Sequence, residues 1–574
     1  MGPYKNKELS AEARVADLLA RMTLEEKAAQ MMCVWQQKAE PLVDANGAFD
    51  VEKARRAFGH GNGIGQVGRP SDAGGSGHEP EKGRNARQQA ELTNEIQKFF
   101  LEESRLGIPV VFHDECLHGH AAIDGTSFPQ PIGLGATFDV DLVERLYTMT
   151  AAEARARGVH QALTPVVDVA REPRWGRVEE TFGEDTHLCS RMGVAAVRGF
   201  QGDASFTDKT RVMATLKHFV AHGQPEGGQN CAPANVSMRE LREVFLPPFK
   251  AAVQEAGAIS VMPSYNEVDG VPSHANRWLL RDVLRKEWGF TGFTVSDYYA
   301  IWELGVRPDT HGHNVAANKR ESAVLAVRAG GNSELPEPDC YLHLVELVQS
   351  GELQESELDD LVAPMLLWKF RMGLFDDPYV DPDVADAIVG SVPNQALALE
   401  AARDTITLLK NEDSLLPLDA ESVKTIAVIG PNADRVMLGG YSGVPKHHVT
   451  VLDGIKAVGF SLFNISSKVV TLVGVAASVW LATTFGKRTV ALVGFTLATI
   501  FLAAFILLPS DAIGATFALE WIRALCYAPT IPLIWAMFAD VADSRVGTSS
   551  TRRRTKTERC ASRRGSGSSA TTSW

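Results

Sequence analysis

Apolar and polar positions alternate along the first 375 residues in a regular order of short strands and longer helices. Short runs of β-branched or other apolar residues predict five strands, at 109–112, 162–169, 211–216, 258–262 and 293–296. Amphipathic stretches that predict helices lie between them, for example at 141–157, 238–256 and 276–288. This repeat of strand and helix is typical of an α/β fold, and we expect a TIM-type (β/α) barrel over residues 1–375.

Chargeable and hydrogen-bonding side chains follow the predicted strands where each strand ends. They are His113, Asp114 and Glu115, then Asp168, then Lys217 and His218, then Tyr265 and Asn266, and finally Asp297. In a barrel the carboxyl ends of all strands open on one rim, where side chains are held rigidly. We therefore expect these residues to meet in one site.

The predicted barrel is bounded by a helix start and by a polar stretch. Thr23 and Glu26 have the capping-box pattern, in which each side chain satisfies a free backbone N–H. Residues 376–398 are rich in Asp and Pro and predict a linker. Residues 399–460 begin a second α/β unit, with a strand over 424–434, but this unit is too short to bury its own core.

The composition changes at about Phe460. Residues 469–485 and 489–508 are almost uninterrupted apolar stretches, close to the ~20 residues that span a bilayer. A third stretch, 512–539, is interrupted by charges and prolines, so 461–545 predicts two or three membrane-type helices. The basic and then Gly- and Ser-rich residues 546–574 predict a disordered tail.

Composition and charge narrow the class of protein. The 574 residues are 45% hydrophobic and 22% charged, as in folded domains, and the net charge of -13 gives no general attraction to nucleic acid. We expect a small-molecule ligand, no nucleic-acid partner and no cofactor. The 7 cysteines lack metal-binding spacing, so no metal site is predicted. The polar N-terminus has no secretory pattern, which predicts a cytoplasmic barrel.

Several long motifs occur in order along the chain. They are GIPVVFHDECLHGHAA (107–122), PVVDVAREPRWGRVEETFGED (165–185), ATLKHFVAHG (214–223), SVMPSYNEVDGVP (260–272), GFTVSDY (292–298) and ELPEPDCY (334–341). Together they resemble glycoside hydrolase family 3, the β-glucosidases and β-xylosidases, over about residues 11–458. The resemblance implies a barrel followed by an α/β sandwich domain. It also implies a retaining, exo-acting enzyme that hydrolyses the O-glycosyl bonds of terminal β-linked sugars.

The same resemblance implies roles for individual residues. Asp297 would be the nucleophile that attacks the anomeric carbon and forms a covalent glycosyl-enzyme. Lys217, His218 and Arg177 match positions that bind sugar hydroxyls, while Tyr265 and Tyr298 match aromatic positions beside the nucleophile or the sugar ring. The structural alternatives are a helix-capping Asp, a surface Lys-His pair, arginines that brace a loop, and rings packed in the core.

Glu115 bears on the identity of the sugar. Glucan-cleaving members of the family have a shorter Asp at this position, and xylosidase-like members have Glu. The extra methylene takes space that the hydroxymethyl arm of glucose would occupy, which favours xylose by about 1 to 3 kcal/mol without excluding glucose. The β-N-acetylglucosaminidase subgroup is disfavoured, because the loop 224–233 lacks its Asp-x-His pair.

The second carboxyl group that retention requires is not identified by the sequence. In most β-glucosidase-like members it is a Glu of the second domain, about 5 to 5.5 Å from the nucleophile. The family pattern ends near Val458, before that region, and Glu179, Glu180 and Glu184 match a loop and helix of the barrel instead. We therefore expect impaired turnover.

Residues 463–543 resemble a different family. Their segments FGKRTVALVGF (485–495) and YAPTIPLIWAMFADVAD (527–543) are similar to sugar:cation symporters of the major facilitator superfamily. The resemblance implies a chimeric or truncated reading frame, in which residues 469–540 would allow membrane contact. A membrane-anchored or transport-related fusion and a non-catalytic sugar-binding barrel are the alternatives to a glycosidase.

Overall fold

The computed structural model describes residues 2–72, 83–306, 312–418, 423, 425–459, 461–504, 507, 513–534 and 536–537. The chain divides into two compact units. The first contains residues 1–413 and 437–448, and the second contains 414–436 and 449–574. The predicted tail, 546–574, lies outside the described residues.

The first unit contains a parallel sheet of seven strands. The strands are β1 (Cys33–Val34), β2 (Gln66–Gly68), β3 (Val111–Asp114), β4 (Gln161–Ala162), β5 (Met213–Phe219), β6 (Ser260–Pro263) and β9 (Phe293–Thr294). They are ordered β1-β2-β3-β4-β5-β6-β9, while β7 (Glu267–Val268) and β8 (Val271–Pro272) form a separate antiparallel pair. The α/β class and the five predicted strands are therefore confirmed.

The hydrophobic pattern misses the first two strands of the sheet. β1 and β2 have only 2 and 3 residues, which is too short for a period of two to be recognised. β4 is also shorter than the predicted strand 162–169. Pro165 follows it and has no N–H to donate to a strand ladder.

The sheet curls on itself. After β9, Ser333 forms a bridge with Val295, and the Glu334 N–H donates to the Met31 carbonyl, 2.9 Å away and just before β1. Residues 332–334 thus have the last strand on one side and the approach to the first strand on the other. They form an isolated bridge and not a regular strand, so closure into a TIM-type barrel is not confirmed.

Helices follow most of the strands along the chain. They are α1 (Ala11–Arg21), α2 (Leu24–Gln30), α3 (Val51–Phe58), α4 (Ala86–Glu103), α5 (Pro131–Thr137), α6 (Val140–Ala156), α7 (Thr186–Gln201), α8 (Met238–Glu240), α9 (Pro247–Ala256), α10 (Lys319–Ala329), α11 (Leu344–Gln349), α12 (Glu355–Arg371), α13 (Pro382–Ile388) and α14 (Val392–Asp404). The π-helical segments Leu241–Phe245 and Trp278–Glu287 complete the predicted helices at 238–256 and 276–288.

Local sequence signals set several of these helix ends. The predicted capping box is confirmed: Thr23 Oγ1 accepts the Glu26 N–H at 3.3 Å, and Glu26 Oε2 accepts the Thr23 N–H at 2.8 Å. Asp139 starts α6 by accepting the Leu142 N–H at 2.9 Å. Gly257 ends α9 with a φ of 64°, in the left-handed region that glycine adopts without strain.

Two large hydrophobic cores hold the first unit together. One involves β5 and helices α6, α7 and α9, with Phe200, Phe219 and Phe249 fully or almost fully buried. The other joins α1, α10 and α12 to the strands and includes Leu18 and Val327. The apolar faces of strands and helices are buried in these cores, so the polar groups at the strand ends are free to form a site.

The predicted linker, 376–398, is partly helical because it contains α13 and the start of α14. Asp381 starts α13 by accepting the Asp383 N–H at 2.9 Å. The buried Glu153 of α6 accepts the Gly390 N–H at 3.0 Å and a hydrogen bond from Asn394. This stretch therefore packs against α6.

The strand predicted over 424–434 is wrong for residues 425–434, which form no strand. Ile426 and Ile429 in this segment have 38% and 88% of their surface exposed. A strand must satisfy its backbone groups by pairing with a neighbour, and the described residues provide no partner strand here.

The second unit is helical over most of its described residues. Its helices are α15 (Val451–Gly459), α16 (Ser461–Phe485), α17 (Lys487–Ala504) and α18 (Ile513–Tyr527). In this described part, α17 is long and apolar enough to cross a membrane, whereas the apolar part of α16, Val470–Phe485, is shorter. One such helix is weak evidence for a span, so the expected two or three membrane helices are not confirmed.

Candidate active site

The side chains that follow the strands meet at the carboxyl end of the sheet. Asp114 ends β3 and Glu115 follows it, Lys217 and His218 lie in β5, and Asp297 follows β9. Each of these five residues is at most 6% exposed. These five residues are therefore held at the ends of three strands of one sheet, β3, β5 and β9.

Asp297 has one fixed and one free carboxylate oxygen. Its Oδ1 accepts the Tyr298 N–H at 2.8 Å, and its own N–H donates to His274 Nε2 at 3.1 Å. Its Oδ2 is buried without a hydrogen-bond partner among the described residues and lies 3.8 Å from His218 Nε2. Burial raises the pKa of Asp297, and the charges of Arg177 and Lys217 oppose that rise.

Glu115 joins two buried cations. Its Oε2 lies 3.1 Å from Lys217 Nζ, and its Oε1 lies 2.9 Å from Arg69 Nη2. Burial by itself would raise the pKa of Glu115, but Lys217 and Arg69 hold it below its ordinary value. The group is therefore an ionised carboxylate shared by two cations.

His218 is held between a carboxylate and a guanidinium. Its Nδ1 lies 2.8 Å from Asp168 Oδ2, and its Nε2 lies 2.8 Å from Arg177 Nη2. Since arginine can only donate, Nε2 accepts and Nδ1 carries the proton. Burial and the charge of Arg177 lower the pKa of His218, so the ring is neutral. Burial also raises the pKa of Asp168 to about 7.

Arg177 is oriented by Glu180. Arg177 Nε and Nη2 donate to the two oxygens of Glu180 at 2.7 and 2.9 Å, which is a two-point ion pair. Arg177 Nη2 also reaches His218, as described above, while Nη1 has no hydrogen bond within the described part of the chain. Arg174, three residues earlier, is instead bound to Glu172 and its side chain is 69% exposed, so it does not reach the site.

Two aromatic residues expected near the nucleophile lie there. The Tyr265 hydroxyl donates to the Tyr298 carbonyl at 3.0 Å, and the same hydroxyl group lowers the pKa of Asp297. The Tyr298 ring packs on Trp35 with 4.8 Å between ring centroids. The Tyr298 hydroxyl accepts a hydrogen bond from Arg69 Nε at 3.1 Å.

Segment 437–448 adds a residue that the sequence did not suggest. The Tyr441 ring lies over Lys217, with 4.8 Å between Nζ and the ring centroid, and Arg69 lies 5.9 Å from the same centroid. His118 Nε2 lies 2.9 Å from the Gly440 carbonyl, and the Gly440 N–H donates to Glu179 at 3.0 Å. These bonds hold the segment over the site.

Sequence reasoning missed Arg69, Trp35 and Tyr441. Arg69 follows β2 and Trp35 follows β1, so a correct assignment of those two short strands would have placed both residues at the strand ends. Tyr441 had no such signal. It belongs to a segment remote in sequence, and only the fold brings it to Lys217.

Asp168, His218 and His222 are grouped closely enough to hold a metal ion by geometry. One ligand atom from each lies within 4.8 Å of the others. However, His218 Nδ1 and Asp168 Oδ2 are already bonded to each other. Burial and then the charges of Arg177 and Lys217 lower the pKa of His222, and these same positive charges would repel a metal cation. We assign no metal to the group.

A curled parallel sheet with buried carboxylates and cations at its strand ends defines an α/β protein with an enzyme-like site. Two family descriptions match the sequence: the glycosyl hydrolase family 3 N-terminal domain over residues 23–366 and the family 3 C-terminal domain over 406–544. The first match covers more than half of the chain, and the second contains Tyr441. The chain therefore belongs to glycosyl hydrolase family 3.

Individual relatives agree with this assignment. A β-xylosidase of Formosa agariphila is 40% identical over 374 residues, which are 61% of this chain and 51% of the relative. A periplasmic β-glucosidase of Salmonella typhimurium is 39% identical over 375 residues, which are 64% of this chain and 47% of the relative. The chain spans about half the length of these relatives.

Solved structures give the same result. A β-glucosidase from Erythrobacter marinus has a TM-score of 0.72 at 37% identity, over 79% of this chain and 57% of that chain. A β-glucosidase from Listeria innocua in complex with glucose has a TM-score of 0.66 at 33% identity, over 78% of this chain and 59% of that chain.

The transporter resemblance of residues 463–543 receives no support from these comparisons. The family 3 C-terminal match extends across this segment to residue 544. The family pattern was expected to end near Val458, but the match continues to residue 544, so a chimeric or truncated frame and a transport-related fusion are not supported either.

Proposed function

We propose that the chain carries the sugar-binding and nucleophile-bearing part of a retaining, exo-acting β-glycosidase. The observation that carries the proposal is the state of Asp297. One oxygen is held by the Tyr298 N–H, and Oδ2 is buried with no partner in the part of the chain that the structure describes. A carboxylate fixed through one oxygen with the other unused is suited to nucleophilic attack.

In the proposed first step, Asp297 Oδ2 attacks the anomeric carbon and the bond from that carbon to the leaving oxygen breaks. The leaving oxygen takes a proton from a general acid. Water then cleaves the glycosyl ester and restores the carboxylate. Arg177 and Lys217 favour the ionised form of Asp297, because their charges lower the pKa that burial raises.

We propose that the cations and Glu115 bind the sugar hydroxyls. Lys217 Nζ has three donors, of which Glu115 occupies one. Arg177 Nη1 is unused in the described residues and adds two more donors, on a guanidinium whose charge lowers the pKa of Asp297. The neutral His218 is fixed by Asp168 and Arg177, so it contributes shape and polarity and no charge.

The proposed substrate is a terminal β-linked xylose or glucose. The similar proteins include enzymes named for each sugar. Glu115 favours xylose, because its longer side chain is held in place by Lys217 and Arg69 and cannot retreat without breaking both ion pairs.

We also propose that turnover is impaired, because the carboxylates that contact this site already have partners. Glu180 pairs with Arg177, Asp168 with His218, and Glu115 with two cations. Glu179 binds the Gly440 N–H, and Glu184 is exposed. General acid catalysis typically contributes ~10² to 10⁴-fold, so aryl glycosides with good leaving groups should react better than disaccharides.

We further propose that the curled sheet is a TIM-type barrel. Residues 332–334 would occupy the eighth position, since they bond to the β9 region on one side and to Met31 before β1 on the other.

Covalent labelling tests the nucleophile. The full chain is incubated with an activated 2-fluoro-β-xyloside or 2-fluoro-β-glucoside and then digested for mass spectrometry. We expect one added glycosyl group on the peptide that contains Asp297. The fluorine slows both formation and hydrolysis of the glycosyl ester, and the activated leaving group speeds only its formation, so the ester accumulates.

The control compares Asp297→Asn with Asp203→Asn, which changes an exposed aspartate in the same way. The Asp203 variant should label as the native chain does, and the Asp297 variant should not. Labelling at another residue, or no labelling of a folded chain, would contradict the proposal.

A further inference from the structure

A second cavity lies at the opposite end of the sheet from the candidate active site. Its volume is about 600 Å³, and it is lined by the end of α6, by the turn 208–210 before β5, and by residues 379–388. α6 precedes β4 and the turn precedes β5, so the cavity lies near the amino ends of these strands, whereas Lys217, His218 and Asp297 lie at the carboxyl ends.

Arg155, in the last turn of α6, lines this cavity and has unused hydrogen-bonding capacity. The residue is 1% exposed, and its Nε, Nη1 and Nη2 atoms have no hydrogen-bond partner in the described chain. Burial lowers the pKa of Arg155, and the charge of Asp377 opposes this change. Asp377 itself, however, forms an ion pair with Lys209 at 2.6 Å. A buried guanidinium with no partner is costly, so a ligand that supplies acceptors would bind here favourably.

The surroundings of Arg155 are rich in donors and cations. His160 Nδ1 accepts the Phe112 N–H at 3.1 Å, so Nε2 carries the proton, and this Nε2–H is also buried without a partner in the described residues. Burial lowers the pKa of His160, and the charges of Arg155, Lys369 and Lys209 lower it further. Arg155 and Lys209 line the cavity, and the donors of Arg155 and His160 that lack partners among the described residues favour a ligand that supplies acceptor oxygens.

Two carboxylates also line the cavity, and each accepts a backbone N–H through one oxygen. Asp208 accepts the Thr210 N–H at 3.0 Å, and Asp381 accepts the Asp383 N–H at 2.9 Å. The remaining wall is largely apolar and includes Tyr379, Val380 and Ile388. The cavity thus offers a buried cation at one place and an apolar surface at another.

We infer that this cavity binds a small oxyanion through Arg155. The chemistry is that of a phosphate or carboxylate group with two or more acceptor oxygens, which matches the planar donor fork of arginine. The apolar wall formed by residues 379–388 suits an organic acid whose body packs there. The inference does not depend on the proposed glycosidase function, since the cavity shares no residue with the candidate active site.

Thermal unfolding of the full chain tests the inference. Millimolar sodium phosphate and sodium benzoate are compared with sodium chloride at the same ionic strength, in a buffer without oxyanions. We expect Tm to rise by about 2 °C or more when an oxyanion is present at roughly ten times its Kd. A larger response to benzoate supports an organic acid, and a larger response to phosphate supports inorganic phosphate.

Two variants and a control identify the site. Arg155→Met should lose the response to both anions, and in chloride it should unfold at the same or a higher temperature, because it removes an unpaired buried charge. Ala152→Leu keeps Arg155 but fills part of the cavity, and it should also lose the response. Arg239→Met removes an exposed arginine, 83% accessible, and should respond like the native chain.

Either of two results would overturn the inference. The first is the absence of an anion-dependent shift in the native chain. The second is an equal shift in the native chain and in the Arg155 or Ala152 variant. If Arg155→Met does not fold, the comparison of Ala152→Leu with Arg239→Met decides the question.

Discussion

Lys217 Nζ lies 3.1 Å from Glu115 Oε2, and each of the two side chains is 2% exposed. Arg69 Nη2 lies 2.9 Å from the other oxygen of the same carboxylate. The attraction between the buried carboxylate and its two cations works against the free-energy cost of removing all three charges from water. Removal of any one partner leaves a buried charge unpaired. This arrangement fixes one wall of the proposed sugar site.

Shortening Glu115 should change the sugar preference. Glu115→Asp withdraws the carboxylate by one methylene and opens space for the hydroxymethyl arm of glucose. We expect the ratio of kcat/KM for aryl β-glucoside over aryl β-xyloside to rise roughly 10-fold or more, as one methylene is worth about 1 to 3 kcal/mol. Initial rates on the two aryl glycosides measure this ratio.

Glu115→Gln serves as the comparison, because it keeps the length and removes the charge. It should lower activity on both sugars and destabilise the fold by about 3 kcal/mol, since two buried cations lose their counter-charge. An unchanged sugar ratio in Glu115→Asp would show that this carboxylate does not determine the preference.

Removing the Glu180 charge should reduce catalysis through Arg177. Glu180→Gln breaks a two-point ion pair and frees Arg177 to leave His218 and Asp297. We expect kcat/KM on an aryl glycoside to fall roughly 10- to 100-fold, which corresponds to about 1.4 to 2.7 kcal/mol of lost transition-state stabilisation.

Glu172→Gln is a matched control for that substitution. Glu172 also binds an arginine through both oxygens, with Arg174 Nε at 2.8 Å and Nη2 at 2.7 Å, but that arginine is 69% exposed. Its activity should be close to native. Equal losses in the two variants would mean that loop stability and not the orientation of Arg177 is responsible.

Lys369 should make stability depend on pH in the alkaline range. Its Nζ lies 2.6 Å from Gln30 Oε1 and 3.1 Å from the Gly65 carbonyl, and burial lowers its pKa from 10.5 to about 7. Between these pKa values the unfolded chain binds a proton that the folded chain does not. The free energy of unfolding should therefore rise as pH increases from about 7 toward 10.

Urea unfolding of Lys369→Met across this range measures the contribution. The variant should lack that part of the rise, whereas Lys98→Met, which changes an exposed lysine, should retain it. If the native chain and Lys369→Met show the same slope of stability against pH, Lys369 is already protonated in the folded state.

The Tyr441 ring should contribute to the site by holding Lys217. Tyr441→Ala removes a ring whose centroid is 4.8 Å from Lys217 Nζ, a contact worth about 1 to 2 kcal/mol when desolvated. We expect kcat/KM to fall roughly 5- to 30-fold, while Tyr441→Phe retains most of the activity. Equal losses in both variants would assign the effect to the hydroxyl and not to the ring.

The sequence predicted the parts of the site that lie next to long strands. Lys217 and His218 lie in β5, which has 7 residues, and the apolar run before them is easily recognised. Arg69 was missed because β2 has 3 residues and gives no periodic signal. The strand predicted over 424–434 does not form in residues 425–434, for a different reason. Its apolar pattern is local, but a strand also needs a partner, which only the assembled fold provides.

By itself, the sequence determined the α/β class, the order of strands and helices, the capping box at Thr23, and the residue types at the strand ends. These features depend on neighbouring positions along the chain. The tertiary structure alone decided that Arg69 and Tyr441 approach Lys217, that His218 is neutral with its proton on Nδ1, and that Arg155 has no hydrogen-bond partner among the described residues. Those properties depend on burial and on contacts between residues far apart in sequence. In the buried interior the low dielectric strengthens each hydrogen bond and charge pair and enlarges its effect on pKa values.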